Sequence, residues 1–110
     1  MAIILGIDPG SRVTGYGLIN SVGSRLEYVD CGCIRTGNEA QPERLLTIFT
    51  ELTVIIESHA PQQAAIEEVF VGRNVQSALK LGQARGSAMV ACLAQGLPLG
   101  EYSPRQVKQA

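Results

Sequence analysis

An α/β domain on a mixed five-stranded sheet is the fold class that three features of the sequence predict. A continuous apolar run, AIILGID, opens the chain, and two more extended runs follow it at short turns. From position 41 onward, amphipathic helical segments alternate with short apolar strands. The resulting order is β-β-β-α-β-α-β-α, with an antiparallel hairpin at one edge and helices over the faces. At 110 residues, 45% of them hydrophobic, the chain suffices for one domain with a core of its own.

AIILGID suits a central strand covered on both faces. Asp-Pro-Gly-Ser then makes a turn, and TGYGLINS reads as a second strand whose glycines admit a close neighbour. After the SVGS turn, RLEYVDCGCIRT is a long third strand. Short turns make these three an antiparallel meander. QPERLLTIFTELTVIIESHA is a helix with Pro42 at its first position and Glu43 at its positive end. Leu45, Ile48, Phe49, Leu52, Ile55 and Ile56 form its apolar stripe, and Pro61 ends it. His59 lies in the last turn, where a cation complements the helix C-terminus. AAIEEVF is a fourth strand, which a right-handed crossover places parallel to the first and near it.

A second helix spans roughly 74–95, with Val75, Leu79, Met89 and Leu93 as its apolar residues. Gly82 and Gly86 fall on one of its faces. Each costs about 1 kcal/mol inside a helix, so the pair implies close approach of another backbone, either the sheet or a second subunit. LPLGEY is the fifth strand, and SPRQVKQA opens a third helix with Ser103 as cap and Pro104 at its first position.

No apolar run approaches the ~20 residues of a membrane span, and the opening lacks the basic region of a signal peptide. Cys31, Cys33 and Cys92 are odd in number and unpaired by spacing, so they are expected to be reduced thiols in a cytoplasmic protein, with Cys31 and Cys33 as packing residues. Charge is uneven. Residues 1–69 hold nine acids against four arginines, whereas residues 70–110 hold five cations against Glu101. That asymmetry suits an anionic partner for the C-terminal part, and equally an ordinary solvated surface.

Asp8 closes the first strand, where ligand sites of open α/β sheets concentrate. Glu67 and Glu68 close the fourth. If the two strands are neighbours, Asp8 and one glutamate share a site, and two carboxylates together call for a cation between them. Oxygen donors without histidine or cysteine suit Mg²⁺ or Mn²⁺. Side chains alternate along a strand, so only one glutamate can point with Asp8; the pattern leaves open which. The competing reading is that Asp8 caps its turn and the glutamates are surface acids. Phe70, followed by Arg73 and Asn74, combines an aromatic with nearby cations, the usual means of stacking an unpaired base and meeting phosphate.

GIDPGSRVTGYG, CGCIRT, AIEEVF, NVQSALKLGQARG and EYSPRQVKQ, in this order and spacing, closely resemble the RuvC family of Holliday-junction resolvases. The resemblance covers the whole chain. It implies a ribonuclease-H-like fold, a homodimer, and Mg²⁺-dependent symmetric cutting of four-way DNA junctions in recombination and repair, alongside a branch-migration motor that includes a hexameric ATPase. It implies that Asp8 and Glu67 are catalytic, metal-binding acids, choosing Glu67 over Glu68. Phe70 then meets unstacked bases at the crossover, with Arg73, Asn74, Lys80 and Lys108 as further DNA contacts. The helix carrying Gly82 and Gly86 becomes a dimer helix. The family's site has four acids, the last two on a C-terminal helix past position 110. Residues 1–110 are thus expected to be a C-terminally incomplete resolvase domain with little cleavage of its own.

Two other readings remain at this level. A non-catalytic DNA-binding or dimerisation module could use the same fold. A strand, an Asp-x-Gly turn and a hairpin also open actin-like phosphotransferases, although a second phosphate loop is missing here.

Overall fold

A computed structural model describes residues 2–69 and 74–102. Its elements follow the predicted order: β1 (Ala2–Asp8), β2 (Val13–Val22), β3 (Arg25–Arg35), α1 (Gln41–His59), β4 (Gln63–Glu67), α2 (Val75–Ala94) and β5 (Leu99–Tyr102). The third helix expected from position 103 lies outside the described residues. The strands form one sheet in the order β3-β2-β1-β4-β5. β1 to β3 are an antiparallel meander, and β1–β4 and β4–β5 are parallel pairs. The apolar run of β1 is thereby explained: β1 is the middle strand.

One core lies between the sheet and both described helices. Leu5, Ile7, Leu18, Ile34, Ala64 and Ile66 face it from the strands. α1 contributes Ile48, Leu52, Ile55 and Ile56, with Leu45 and Phe49 packed alongside, as its periodicity predicted. Both helices cover the same face, rather than one covering each, because successive side chains of β1 alternate and only Leu5 and Ile7 are buried. The other face carries Ile4, Gly6 and Asp8 and forms an open trough of about 610 Å³.

α2 turns a small-residue face inward. Ala84, Ala88, Ala91 and Cys92 are buried, while Val75, Leu79, Val90 and Leu93 are exposed. Small side chains let the two helices approach closely, and Ser87 Oγ donates to Leu45 O across the contact at 2.6 Å. The sheet is not what approaches Gly82 and Gly86, since a Cβ on either would meet nothing within 4 Å.

Cys31 and Cys33 are exposed, not packed. β3 is an edge strand, and these two residues lie on its uncovered side, lining the trough. His59 lies where expected, with Nδ1 3.1 Å from Ile55 O and Nε2 3.4 Å from Asp30 Oδ2, tying α1 to β3. Ala60 then takes a left-handed conformation and donates its N–H to Ile56 O, closing the helix before Pro61. No described helix is long and apolar enough to cross a membrane.

Candidate active site

Cross-strand register builds the site. Asp8 at the end of β1 pairs with Gly15 on β2, and Gly15 pairs with Cys33 on β3. On the other side, β1 and β4 run parallel with Ile7 matched to Ile66, so the next residue, Glu67, comes up beside Asp8. Glu67 in turn pairs with Tyr102 on β5. A single row on the open face therefore reads Cys33, Gly15, Asp8, Glu67, Tyr102 across all five strands. Glu68 follows the end of β4 and is exposed; its N–H donates to Tyr102 O at 2.7 Å. The structure brings Glu67 to Asp8.

Burial pushes the Glu67 carboxyl above the ordinary glutamate value of 4.5, and the Asp8 carboxylate, with the hydrogen bond the two side chains share, pushes it further. The phenol of Tyr102 is also raised, first by burial and then by Glu67 and Asp8. Tyr102 is thus the wall of the site on the β5 side. Two hard oxygen donors side by side suit a divalent cation, which relieves their repulsion. Asp8 and Glu67 would hold it; among the described residues no third His, Cys, Asp or Glu joins them.

The turn after Asp8 is fixed from behind. Gly10 N–H donates to Thr14 Oγ1 at 3.2 Å, and Thr14 Oγ1 donates to Gly10 O at 2.8 Å. The turn is therefore buckled by Thr14, which is fully buried, and not by the Asp8 carboxylate. Only glycine fits at position 10, where a Cβ would lie 2.1 Å from Val13 O. Thr36, also buried, donates through Oγ1 to Ser11 O at 2.8 Å, and its N–H donates to Arg12 O at 3.0 Å. Two buried threonines from neighbouring strands thus hold the loop that presents Asp8.

A polar chain then links this loop to both helices. Ser11 Oγ donates to Gln41 Oε1 at 3.1 Å and accepts from Arg44 Nη1 at 3.3 Å. Gln41 Nε2 donates to Lys80 O at 3.3 Å and to Gln83 Oε1 at 3.1 Å. Lys80 is exposed, and its backbone carbonyl is the acceptor in this chain of bonds. Asn74 is exposed too, but its Oδ1 accepts from Ser77 N at 3.1 Å, so it is the N-cap of α2. Phe70, Arg73 and Lys108 lie outside the described residues. Sequence reasoning missed Thr14, Thr36, Ser11 and Tyr102. The Thr14 bond spans four residues and was findable as a turn-closing pattern; the others depend on register.

The sequence model of the family described as crossover junction endodeoxyribonuclease RuvC matches residues 4–110. A crossover junction endodeoxyribonuclease RuvC of Marinobacter nauticus is 62% identical over the whole chain, and one of Shewanella piezotolerans is 57% identical. The chain spans 63% and 64% of those two proteins. Among solved structures, RuvC of T. thermophilus in complex with Holliday junction substrate superposes with a TM-score of 0.92 at 31% identity, over all of this chain and 68% of that one. A yeast mitochondrial Holliday junction resolvase (TM-score 0.68, 15% identity, 96% of this chain and 54% of that one) and the PPX-GPPA enzyme of Aquifex aeolicus (0.56, 14%, 96% and 37%) share the fold alone. With the ribonuclease-H-like sheet, the carboxylate pair at its end and a family match over nearly every residue, the chain belongs to the RuvC family.

Proposed function

We propose that the protein is a divalent-cation-dependent endonuclease that resolves four-way DNA junctions by paired nicks during recombination and repair. The observation that carries this reading is the Asp8–Glu67 pair on one sheet face, in a chain that superposes on a RuvC bound to such a junction. Mg²⁺, for which Mn²⁺ can substitute, would supply charge neutralisation at the scissile phosphate and an activated water. The pair fits one such ion. Two ions per site would need the two further acids that the family resemblance puts in the part of the relatives beyond this chain's span. Asp8 and Glu67 hold the cation on the rim. Lys80, Asn74, Phe70, Arg73 and Lys108 meet the DNA.

The exposed seam of α2 supports a homodimer. Val75, Leu79, Gly82, Gly86 and Leu93 recur at intervals of four, three, four and seven, a spacing that keeps them on one helix face. Two apolar residues start the seam, two glycines leave its middle bare, and nothing among the described residues covers it there. A symmetric dimer would match the two-fold symmetry of the junction and place two sites on strands of like polarity. The same reading carries a cytoplasmic location and partnership with a branch-migration motor containing a hexameric ATPase.

The test is junction binding in Ca²⁺ and cutting in Mg²⁺, against a matched linear duplex. It is run on residues 1–110 and on the same residues joined to the C-terminal third of the M. nauticus relative. Junction-selective binding by both and cutting by the joined protein alone is expected. Equal affinity for duplex and junction in both would contradict the reading.

A further inference from the structure

Net charge hides where the cations of the N-terminal part stand. Of the four arginines before residue 70, Arg25 is at the hairpin tip, paired with Glu27 at 3.2 Å. The other three, Arg12, Arg35 and Arg44, gather at the opposite end of the sheet, where β1 delivers Asp8. Arg35 ends β3 and pairs with Val13 of β2. Its neighbour Ile34 is buried toward the helices and Cys33 lines the trough, so alternation puts Arg35 on the open face with Asp8 and Glu67. Strand geometry sets its Cα about 10 Å across from β1 and about 7 Å further along than the Asp8 row.

Arg12 stands next to it. The Arg12 carbonyl accepts the N–H of Thr36 at 3.0 Å, and Thr36 Oγ1 binds Ser11 O and Arg12 O. A buried threonine immediately after Arg35 therefore clamps the peptide of Arg12. Both arginines are exposed. Three ion pairs form among the described residues, and neither Arg12 nor Arg35 takes part in any. Arg44, by contrast, is engaged with Ser11 Oγ and Glu39 O. The Glu39 carboxylate accepts from Thr47 Oγ1. Two uncommitted guanidinium groups held on a stiff backbone beside a carboxylate pair suit phosphate oxygens, which they can meet as a planar fork.

We propose that Arg12 and Arg35 form a phosphate-binding flank of the site, gripping the DNA backbone a few nucleotides from the bond cut at Asp8 and Glu67. The inference rests on the nuclease reading and deepens it: the bound strand crosses the sheet from the carboxylates toward β3, over the glycine-floored side of the trough. Pinning of the loop by Thr14 and Thr36 then serves both groups, holding Asp8 and Arg12 in one rigid piece.

The test measures four-way junction binding by the full chain in Ca²⁺ as a function of salt, for Arg12→Gln, Arg35→Gln and the double variant. Each lost phosphate contact flattens the slope of log affinity against log salt by about 0.7 to 0.9. Each single variant is expected to show that loss with several-fold weaker binding at 0.1 M salt, and the double variant about twice the slope change. Arg35→Lys, which keeps the charge, retains the slope. Arg25→Gln, which removes a cation from the far end of the same strand, leaves slope and affinity unchanged. A wild-type slope in the double variant overturns the inference, and so does an equal loss in Arg25→Gln. If wild type itself shows no junction binding, the nuclease reading falls and this inference with it.

Discussion

Asp8 and Glu67 stand side by side on the parallel strands β1 and β4, on the uncovered face of the sheet, where burial and the Asp8 carboxylate hold the Glu67 carboxyl above its ordinary value. Such a pair is poor packing and good coordination. Its repulsion is present in the folded chain and absent from the unfolded one, which makes it measurable through stability.

The pair predicts the sign of a pH effect. Folding raises the Glu67 value above 4.5, so the folded state holds its proton to higher pH than the unfolded state does. Stability from this group is present below 4.5 and is lost as pH rises through the raised folded value. Glu67→Gln should therefore raise the Tm of the metal-free protein at pH 7 and change it little at pH 4. Added Mg²⁺ or Mn²⁺ should raise the wild-type Tm at pH 7 and leave that of Glu67→Gln nearly unmoved. Thermal melts at the two pH values, with and without cation, check both halves.

The turn behind Asp8 predicts two costly substitutions. Gly10→Ala forces a Cβ against Val13 O and should cost at least 1–3 kcal/mol, about the range for a strained backbone site. Thr14→Val removes both partners of the Gly10 peptide inside the fold and should cost about 1–3 kcal/mol. Denaturant midpoints measure each, and a loss below half a kcal/mol for Thr14→Val would contradict the buckle.

The α2 seam predicts opposite effects on monomer and dimer. Gly82→Ala meets no atom within 4 Å and sits in mid-helix. It should stabilise the monomer by up to about 1 kcal/mol while weakening self-association. Leu79→Asp should abolish association and leave the fold intact, because Leu79 is 62% exposed. Sedimentation across a concentration series, alongside denaturant melts, separates the two quantities.

The thiols differ in reactivity. Burial pushes Cys92 up to about 11, whereas Cys31 and Cys33 are exposed. A thiol reagent at pH 8 should modify two sulfurs quickly in the native protein and the third only on unfolding. Three fast equivalents would place Cys92 outside the core.

The carboxylate site was legible because its signal is local: an apolar run that ends in acid, on one residue in the first strand and on two in the fourth, on strands that a right-handed crossover must bring together. Element bounds were legible for the same reason, and the first strand and α1 agree with their sequence patterns to within a residue. What escaped depends on which surfaces meet. The apolar residues Val75, Leu79 and Leu93 do not mark the buried face of α2; its alanines do, because the helix packs close to α1 and needs small side chains there. Cys31 and Cys33 look like packing residues until β3 is known to be an edge strand with one face uncovered. Arg35 carries no local signal, since three strands of register are needed to set it beside Asp8. The split of net charge, which favoured the C-terminal part, averaged over residues that the fold separates by the length of the sheet.

The most direct test is the effect of Glu67→Gln on a four-way junction, in a protein extended to the length of its relatives. Binding is read in Ca²⁺ and cleavage in Mg²⁺. The account predicts cleavage lowered by at least about a hundredfold, as for loss of a metal-holding group, with junction affinity equal to wild type or higher, because one negative charge beside the phosphates is gone. Cleavage at the wild-type rate would contradict it, and would mean that the Asp8–Glu67 pair is not the seat of the chemistry.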